Sequence, residues 1–217
     1  MTTYEINITI DPTGLTSIYN AKQSVALFKS VQSTVGLNHA QTTTPCPIAW
    51  VVFQPFATNV VTWIESYCVY ASTTHLTTGA VIFLTALTSP AQTGQVYTLQ
   101  YGSFTVASGG VIGAFTAENQ ASNGLSFGLV QQATVNNVPV SAPLSAQPVL
   151  YNQSAIITPS ATLSVFLTSV SAGGTVLDRV PPSALTVNLT SQLQSVAVGF
   201  SDANNTFYLE SVNERVP

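Results

Sequence analysis

Glu65 is the acid whose neighbours invite chemistry. It follows Trp63-Ile64 and precedes Ser66-Tyr67, so an extended backbone puts Trp63, Glu65 and Tyr67 on one face. A carboxylate between aromatic rings can have its pKa raised, or can hydrogen-bond the polar end of a ligand held in an aromatic pocket. Trp50 and Phe53 add rings just upstream, and Lys29 adds a cation. Lys29, Trp50, Phe53, Trp63, Glu65 and Tyr67 are therefore the expected ligand-binding set. The rings would stack on a small apolar or conjugated molecule, and Glu65 or Lys29 would fix its polar end. Two plainer roles compete with this one: a solvent-facing acid at a turn for Glu65, and core filling for the tryptophans.

Other chemistry finds little support in the residue types. A Ser–His–acid relay needs a histidine beside a nucleophile, and only His39 and His75 are present. His39 lies in the polar stretch Gly36-Leu37-Asn38-His39-Ala40-Gln41, and His75 in Thr73-Thr74-His75-Leu76-Thr77-Thr78 at a strand end. Neither adjoins a G-x-S-x-G elbow, so no catalytic residue is assigned and the chain reads as non-enzymatic. Ser108-Gly109-Gly110 and Ala172-Gly173-Gly174 lack the lysine and the strand-to-helix setting of a phosphate cradle. They read as turns or linkers, and no nucleotide cofactor is expected. A calcium site wants clustered acids, whereas Asp202-Ala203-Asn204-Asn205 carries a single acid and suits a hairpin loop. Cys46 and Cys68 lack metal-ligand spacing and are too few for a disulfide framework, so free thiols are expected.

Composition narrows the partners. Only 6% of the 217 residues are charged, against about 25% in ordinary soluble proteins. The basic residues are Lys22, Lys29, Arg179 and Arg215, the net charge is −4, and no basic stripe exists to neutralise phosphates, which excludes nucleic acid. Pro, Thr, Gln or Gly interrupts every apolar run well short of the roughly 18 residues of a spanning helix, so no membrane span is expected. Residues 1–20 hold no uninterrupted apolar core of the secretory kind, and the expected location is cytoplasmic. A homo-oligomer is compatible with so weakly charged a surface.

The elements that must position these residues are strands. Short runs rich in Val, Ile, Thr, Tyr and Phe recur between Gly, Pro, Asn and Ser clusters, about sixteen of them, with almost no helical pattern. In the first, Ile6, Ile8 and Ile10 share a face, and an Asp11-Pro12-Thr13-Gly14 turn is expected to end it. The fold class read from this is all-β, built from antiparallel sandwich-like sheets.

An internal repeat organises the strands. Pro47-Ile48-Ala49-Trp50 through Tyr67-Cys68-Val69-Tyr70-Ala71-Ser72 lies on Pro143-Leu144-Ser145-Ala146 through Leu163-Ser164-Val165-Phe166-Leu167-Thr168 at one constant offset, with Val69 on Val165. Upstream, Phe28-Lys29-Ser30-Val31-Gln32 meets Phe127-Gly128-Leu129-Val130-Gln131 after a short slip, and the Glu5–Asp11 stretch falls near the Val111–Ala117 stretch. Two pseudo-repeated halves follow, 1–107 and 108–217, joined near Ser108-Gly109-Gly110. Each half forms its own sandwich, or both share one pseudo-twofold sheet system. Trp50, Phe53, Phe56, Trp63, Tyr67 and Tyr70 of the first half correspond to Ala146, Val149, Asn152, Pro159, Leu163 and Phe166 of the second, which assigns binding to the first half and support to the second.

The segment Pro47-Ile48-Ala49-Trp50-Val51-Val52-Phe53-Gln54-Pro55-Phe56, with Asn59-Val60-Val61-Thr62-Trp63, Glu65-Ser66-Tyr67 and Val69-Tyr70-Ala71-Ser72, resembles small intracellular proteins of mushroom fruiting bodies, among them the pink chromoproteins of oyster mushrooms. The resemblance implies a non-enzymatic protein enclosing a non-covalent small organic chromophore. The competing expectation is a cytosolic fungal lectin or a defence or toxin-like β-sandwich, whose sugar site would combine an exposed aromatic ring with Asn, Asp and backbone groups. A storage or structural protein without a site is the third class.

Overall fold

A computed structural model describes residues 2–36, 41–43 and 45–210. In chain order the elements are β1 (Thr3–Thr9), α1 (Pro12–Asn20), β2 (Ser24–Gly36), β3 (Gln41–Thr43), β4 (Cys46–Ala49), β5 (Val51–Phe53), β6 (Thr58–Ser72), β7 (Ala86–Leu87), β8 (Gln95–Gln100) and β9 (Ser103–Ser108). The second half holds β10 (Phe115–Asn119), β11 (Leu125–Val135), β12 (Val138–Pro143), β13 (Ser145–Val149), β14 (Ser154–Thr168), β15 (Thr175–Val176), β16 (Leu185–Asn188), β17 (Ser195–Ser201) and β18 (Thr206–Leu209). Among the described residues 58% are strand and 4% helix, so the fold is all-β, made of two halves.

The helix α1 departs from the turn expected at Asp11-Pro12-Thr13-Gly14. The Asp11 carboxylate accepts from the Gly14 amide at 2.6 Å, and Pro12 starts the helix with a φ already suited to it. Gly14 is needed for space: a Cβ there would stand 2.8 Å from the Phe200 ring. Ile18 is buried beneath the helix, and Ile6, Ile8 and Ile10 enter the core as the alternation predicts.

One sheet runs β15-β4-β13-β11-β6-β1-β17-β18, with β12 also on β11 and β7 on β6. The other runs β3-β2-β14-β10-β8-β9, with β16 on β14 and β5 on β2. Within them β11-β6-β1-β17-β18 and β2-β14-β10-β8-β9 match sense for sense: antiparallel, antiparallel, parallel, antiparallel. The repeat is thus interleaved. The strands β11, β17 and β18 of the second half complete the sheet of β1 and β6, while β2, β8 and β9 of the first complete that of β10 and β14. Of the two arrangements open from sequence, this is the shared sheet system. Its parallel pairings join strands of different halves, which leaves ample chain for the crossover that parallel neighbours need.

Registers show where the repeat was read correctly. Val69 pairs with Leu129 and Val165 with Leu27, so Val69 and Val165 are equivalent as expected. Phe28 faces Ser164 as Val130 faces Cys68, which moves the expected match of Phe28 with Phe127 by three residues and makes Lys29 the counterpart of Gln131. Ile6 likewise corresponds to Phe115, since they face Val61 and Ile157. The cause is burial on both faces: Ser24–Leu27 and Ser126–Gln131 are buried at every position, so alternation cannot reject an odd slip there. Pro47 and Pro143 are not equivalent, because Pro47 pairs with Ser145 from β4 and Pro143 with Val130 from β12. The amide of Trp50 donates to Leu27 O as that of Leu144 does to Leu129 O, so Leu144, not Ala146, stands where Trp50 does.

The two longest strands share an irregularity. In β6, Ile64, Glu65 and Ser66 bulge opposite Gln132, and in β14, Ser160, Ala161 and Thr162 bulge opposite Ser30. A bulge of this size keeps the inward phase, so Trp63 and Tyr67 both enter the core while the residues between them are lifted outward. The main hydrophobic core draws on both sheets, so their inner faces pack against one another.

Candidate functional site

The bulge of β6 sets the site. It carries Glu65 to the surface, where 40% of its side chain is exposed, while the Lys29 side chain, arriving from β2 in the facing sheet, is 3% exposed. Lys29 Nζ donates to Glu65 Oε1 at 2.7 Å and Oε2 at 2.9 Å, to the Tyr67 hydroxyl at 2.8 Å and to Gln131 Oε1 at 3.1 Å. Glu65 also accepts from Trp63 Nε1 at 3.2 Å and from the Tyr67 hydroxyl. Gln131 is held in turn: its Nε2 donates to Ile64 O at 2.6 Å, and its backbone carbonyl accepts from Trp50 Nε1 at 3.1 Å.

Aromatic rings close over the ammonium. Nζ lies 5.1 Å from the Tyr67 ring centroid and 6.0 Å from those of Trp50 and Trp63, within cation–π range. Trp50 meets Trp63 edge-on at 5.6 Å, Tyr4 stacks on Trp63 at 5.9 Å, and Phe115 meets Tyr67 edge-on at 5.6 Å. Burial pushes the Lys29 ammonium below its ordinary range against the opposing pull of Glu65. Burial, reinforced by the Glu65 charge, raises the Tyr67 phenol. Four acceptor atoms surround the buried amine and offset part of the cost of its burial.

Five of the expected residues therefore meet: Lys29, Trp50, Trp63, Glu65 and Tyr67. Phe53 stands apart on β5 opposite Val25, half-buried against the main core. The tryptophans are buried, Trp50 at 1% and Trp63 at 5% exposure, and Glu65 is the member open to solvent. Sequence reasoning missed Gln131, Tyr4 and Phe115. Gln131 was hidden by the three-residue slip in the repeat; the correct register would have set it against Lys29. With Gln131 and Phe115 coming from the second half, the cluster spans both halves.

The remaining sequence features lie elsewhere in the fold. Asp202–Asn205 forms the loop of the β17–β18 hairpin, with Asn205 at φ 55°. Gly109 takes φ 103° just after β9, and the Gly110 amide bonds Gly94 O beyond the end of the β8–β9 pairing. His75 is exposed after β6, and His39 lies outside the described residues. Cys46 and Cys68 are unpaired. Among the described residues no three His, Cys, Asp or Glu side chains gather so as to hold a metal, and no helix is long and apolar enough to cross a membrane.

An open groove lies on the outer side of β6, lined by Phe56, Thr58, Val60, Thr62, Thr134, Asn136 and Asn137. Asn136 and Asn137 form the two-residue turn between β11 and β12, with φ 49° and 67°, a conformation that favours Asn. Asn136 Oδ1 accepts from the Val60 amide at 2.8 Å, and Phe56 is 62% exposed.

Comparison of the chain with protein-family models, with curated proteins and with solved structures finds no match.

Proposed function

We propose that the protein is a non-enzymatic binder of a small, largely apolar or conjugated organic molecule in the cytosol, held without a covalent link at the Glu65 carboxylate, above the buried Trp63 and Tyr67 rings. The observation that carries this reading is the exposed Glu65 carboxylate, raised on a bulge above a sealed aromatic cluster. Its oxygens are fixed by Lys29, Tyr67 and Trp63, which makes it a rigid acceptor for a polar group. The half-buried Tyr4 ring, stacked on Trp63 beside it, offers a conjugated ligand a ring contact worth about 0.5–1.5 kcal/mol beyond area burial. Unpaired cysteines suit a reducing compartment. The native protein's absorption spectrum after gel filtration tests the reading. A visible band that co-elutes with the chain and is lost in Glu65→Ala supports it, and a colourless protein sinks the pigment reading.

The groove beside β6 favours a second reading, glycan binding. An exposed Phe56 ring next to Asn137 and the threonines offers a sugar an apolar face and amide partners together. Retention on glycan beads that Phe56→Ala abolishes would support it over the first.

A further inference from the structure

The Lys29 amine and the Gln131 carboxamide stand in contact across the two sheets, with an acid touching the amine. We propose that Lys29 and Gln131 join autocatalytically in an amide bond between their side chains, with Glu65 as proton carrier and ammonia as the leaving group. The proposal does not depend on ligand binding.

The two groups are adjacent and held in place. Nζ lies 3.1 Å from Gln131 Oε1, and the carboxamide is held by its Nε2 bond to Ile64 O with its carbonyl toward the amine. The rings of Trp50, Trp63 and Tyr67 confine Nζ from the other sides. Lys29 is 2% and Gln131 1% exposed, so water, the competing nucleophile and the agent of reversal, is excluded. Two groups fixed in this way react with the advantage of a high effective concentration. Burial lowers the proton affinity of Lys29, which favours the neutral amine the attack requires.

The step balances without an oxidant or reductant. A proton passes from Nζ to Glu65 Oε1 over 2.7 Å. The Nζ lone pair then forms a bond to Gln131 Cδ while the carbonyl pair moves onto Oε1. Glu65 returns its proton to Nε2, the Cδ–Nε2 bond breaks as the carbonyl re-forms, and ammonia departs. Nζ gives up its second surplus proton, which leaves with the ammonia as ammonium. Glu65 ends as the carboxylate it began as, and the protein loses one positive charge. Because β2 and β11 belong to different sheets, the new bond staples the sandwich at the counterpart positions of its two halves.

Intact mass spectrometry of the denatured full-length protein tests this. The expected mass is that of the chain less one ammonia, with protease digestion releasing the Lys29 peptide joined to the Gln131 peptide. Lys29→Arg and Glu65→Gln should each restore the full mass. A wild-type chain at full mass with separate Lys29 and Gln131 peptides overturns the proposal. So does loss of one water with Lys29 joined to Glu65, or loss of ammonia from another residue. The wild-type measurement decides even if a variant fails to fold.

Discussion

Lys29 and Gln131 occupy counterpart positions in the two halves, opposite Leu163 and Tyr67 respectively, and they touch, Nζ to Oε1 at 3.1 Å. The one ion pair among the described residues, Lys29–Glu65, sits at this contact. Only one half supplies the acid, since Ala161 stands in the β14 bulge where Glu65 stands in that of β6. The asymmetry of the repeat is thus concentrated where its halves meet.

Replacing Trp63 with Phe removes the indole donor to Glu65 and part of a ring that is 5% exposed. A hydrogen bond to a charged group contributes roughly 1.5–3 kcal/mol, so Trp63→Phe is expected to lower stability by about 2 kcal/mol in urea unfolding. An unchanged midpoint would mean that the ring lines a binding surface and does not support the core.

Gly128 faces Tyr70, whose hydroxyl donates to Ser145 O at 2.8 Å. A Cβ at Gly128 would fall 1.9 Å from Ser145 O and 2.8 Å from the Tyr70 ring, and neither can yield without breaking the sheet. Gly128→Ala should cost about 3 kcal/mol or more. The counterpart Ala26, opposite Phe166, already carries a methyl group, so Ala26→Gly should cost only about 1 kcal/mol. Equal losses at both positions in chemical denaturation would contradict this.

Alkali should unfold the protein through its buried phenols. Tyr67 and Tyr70 are both raised above the ordinary value of 10.0, chiefly by burial. Above pH 10 the unfolded chain releases these protons while the folded chain keeps them. The stability they contribute is complete below that pH and is lost as pH rises beyond it. Tyrosinate absorbance of these two residues should therefore appear together with the loss of near-UV circular dichroism. Ionisation of all tyrosines with the fold intact would refute this.

Colloidal behaviour follows from composition. With a net charge of −4 and a pI near 4.8, repulsion between molecules vanishes close to pH 5. Light scattering is expected to show self-association or precipitation there, and clear monodisperse solutions through pH 4–6 would count against it.

The sequence by itself determined the class of fold and named most of the residues that cluster around Lys29 and Glu65. Poverty of charge, β-branched runs and turn residues leave no route to a core except stacked sheets, and the Trp63-Ile64-Glu65-Ser66-Tyr67 spacing already sets a ring on either side of an acid. Tertiary structure decided the rest. Interleaving of the halves was not legible, because strand pairing is chosen by long-range hydrogen bonds that leave no local mark on β1, β10 or their partners. The counterpart of Lys29 was misread by three residues because β2 and β11 are buried on both faces there, and alternation carries register only where one face is wet. The helix after Asp11 was written in the Asp11-Pro12 cap, but the same residues also begin turns, and only the packing of Ile18 into the core separates the two. That Lys29 meets Glu65 and Gln131, far apart in the chain, follows from two facing sheets: Lys29 and Gln131 enter the core from opposite sheets, and the β6 bulge brings Glu65 over them.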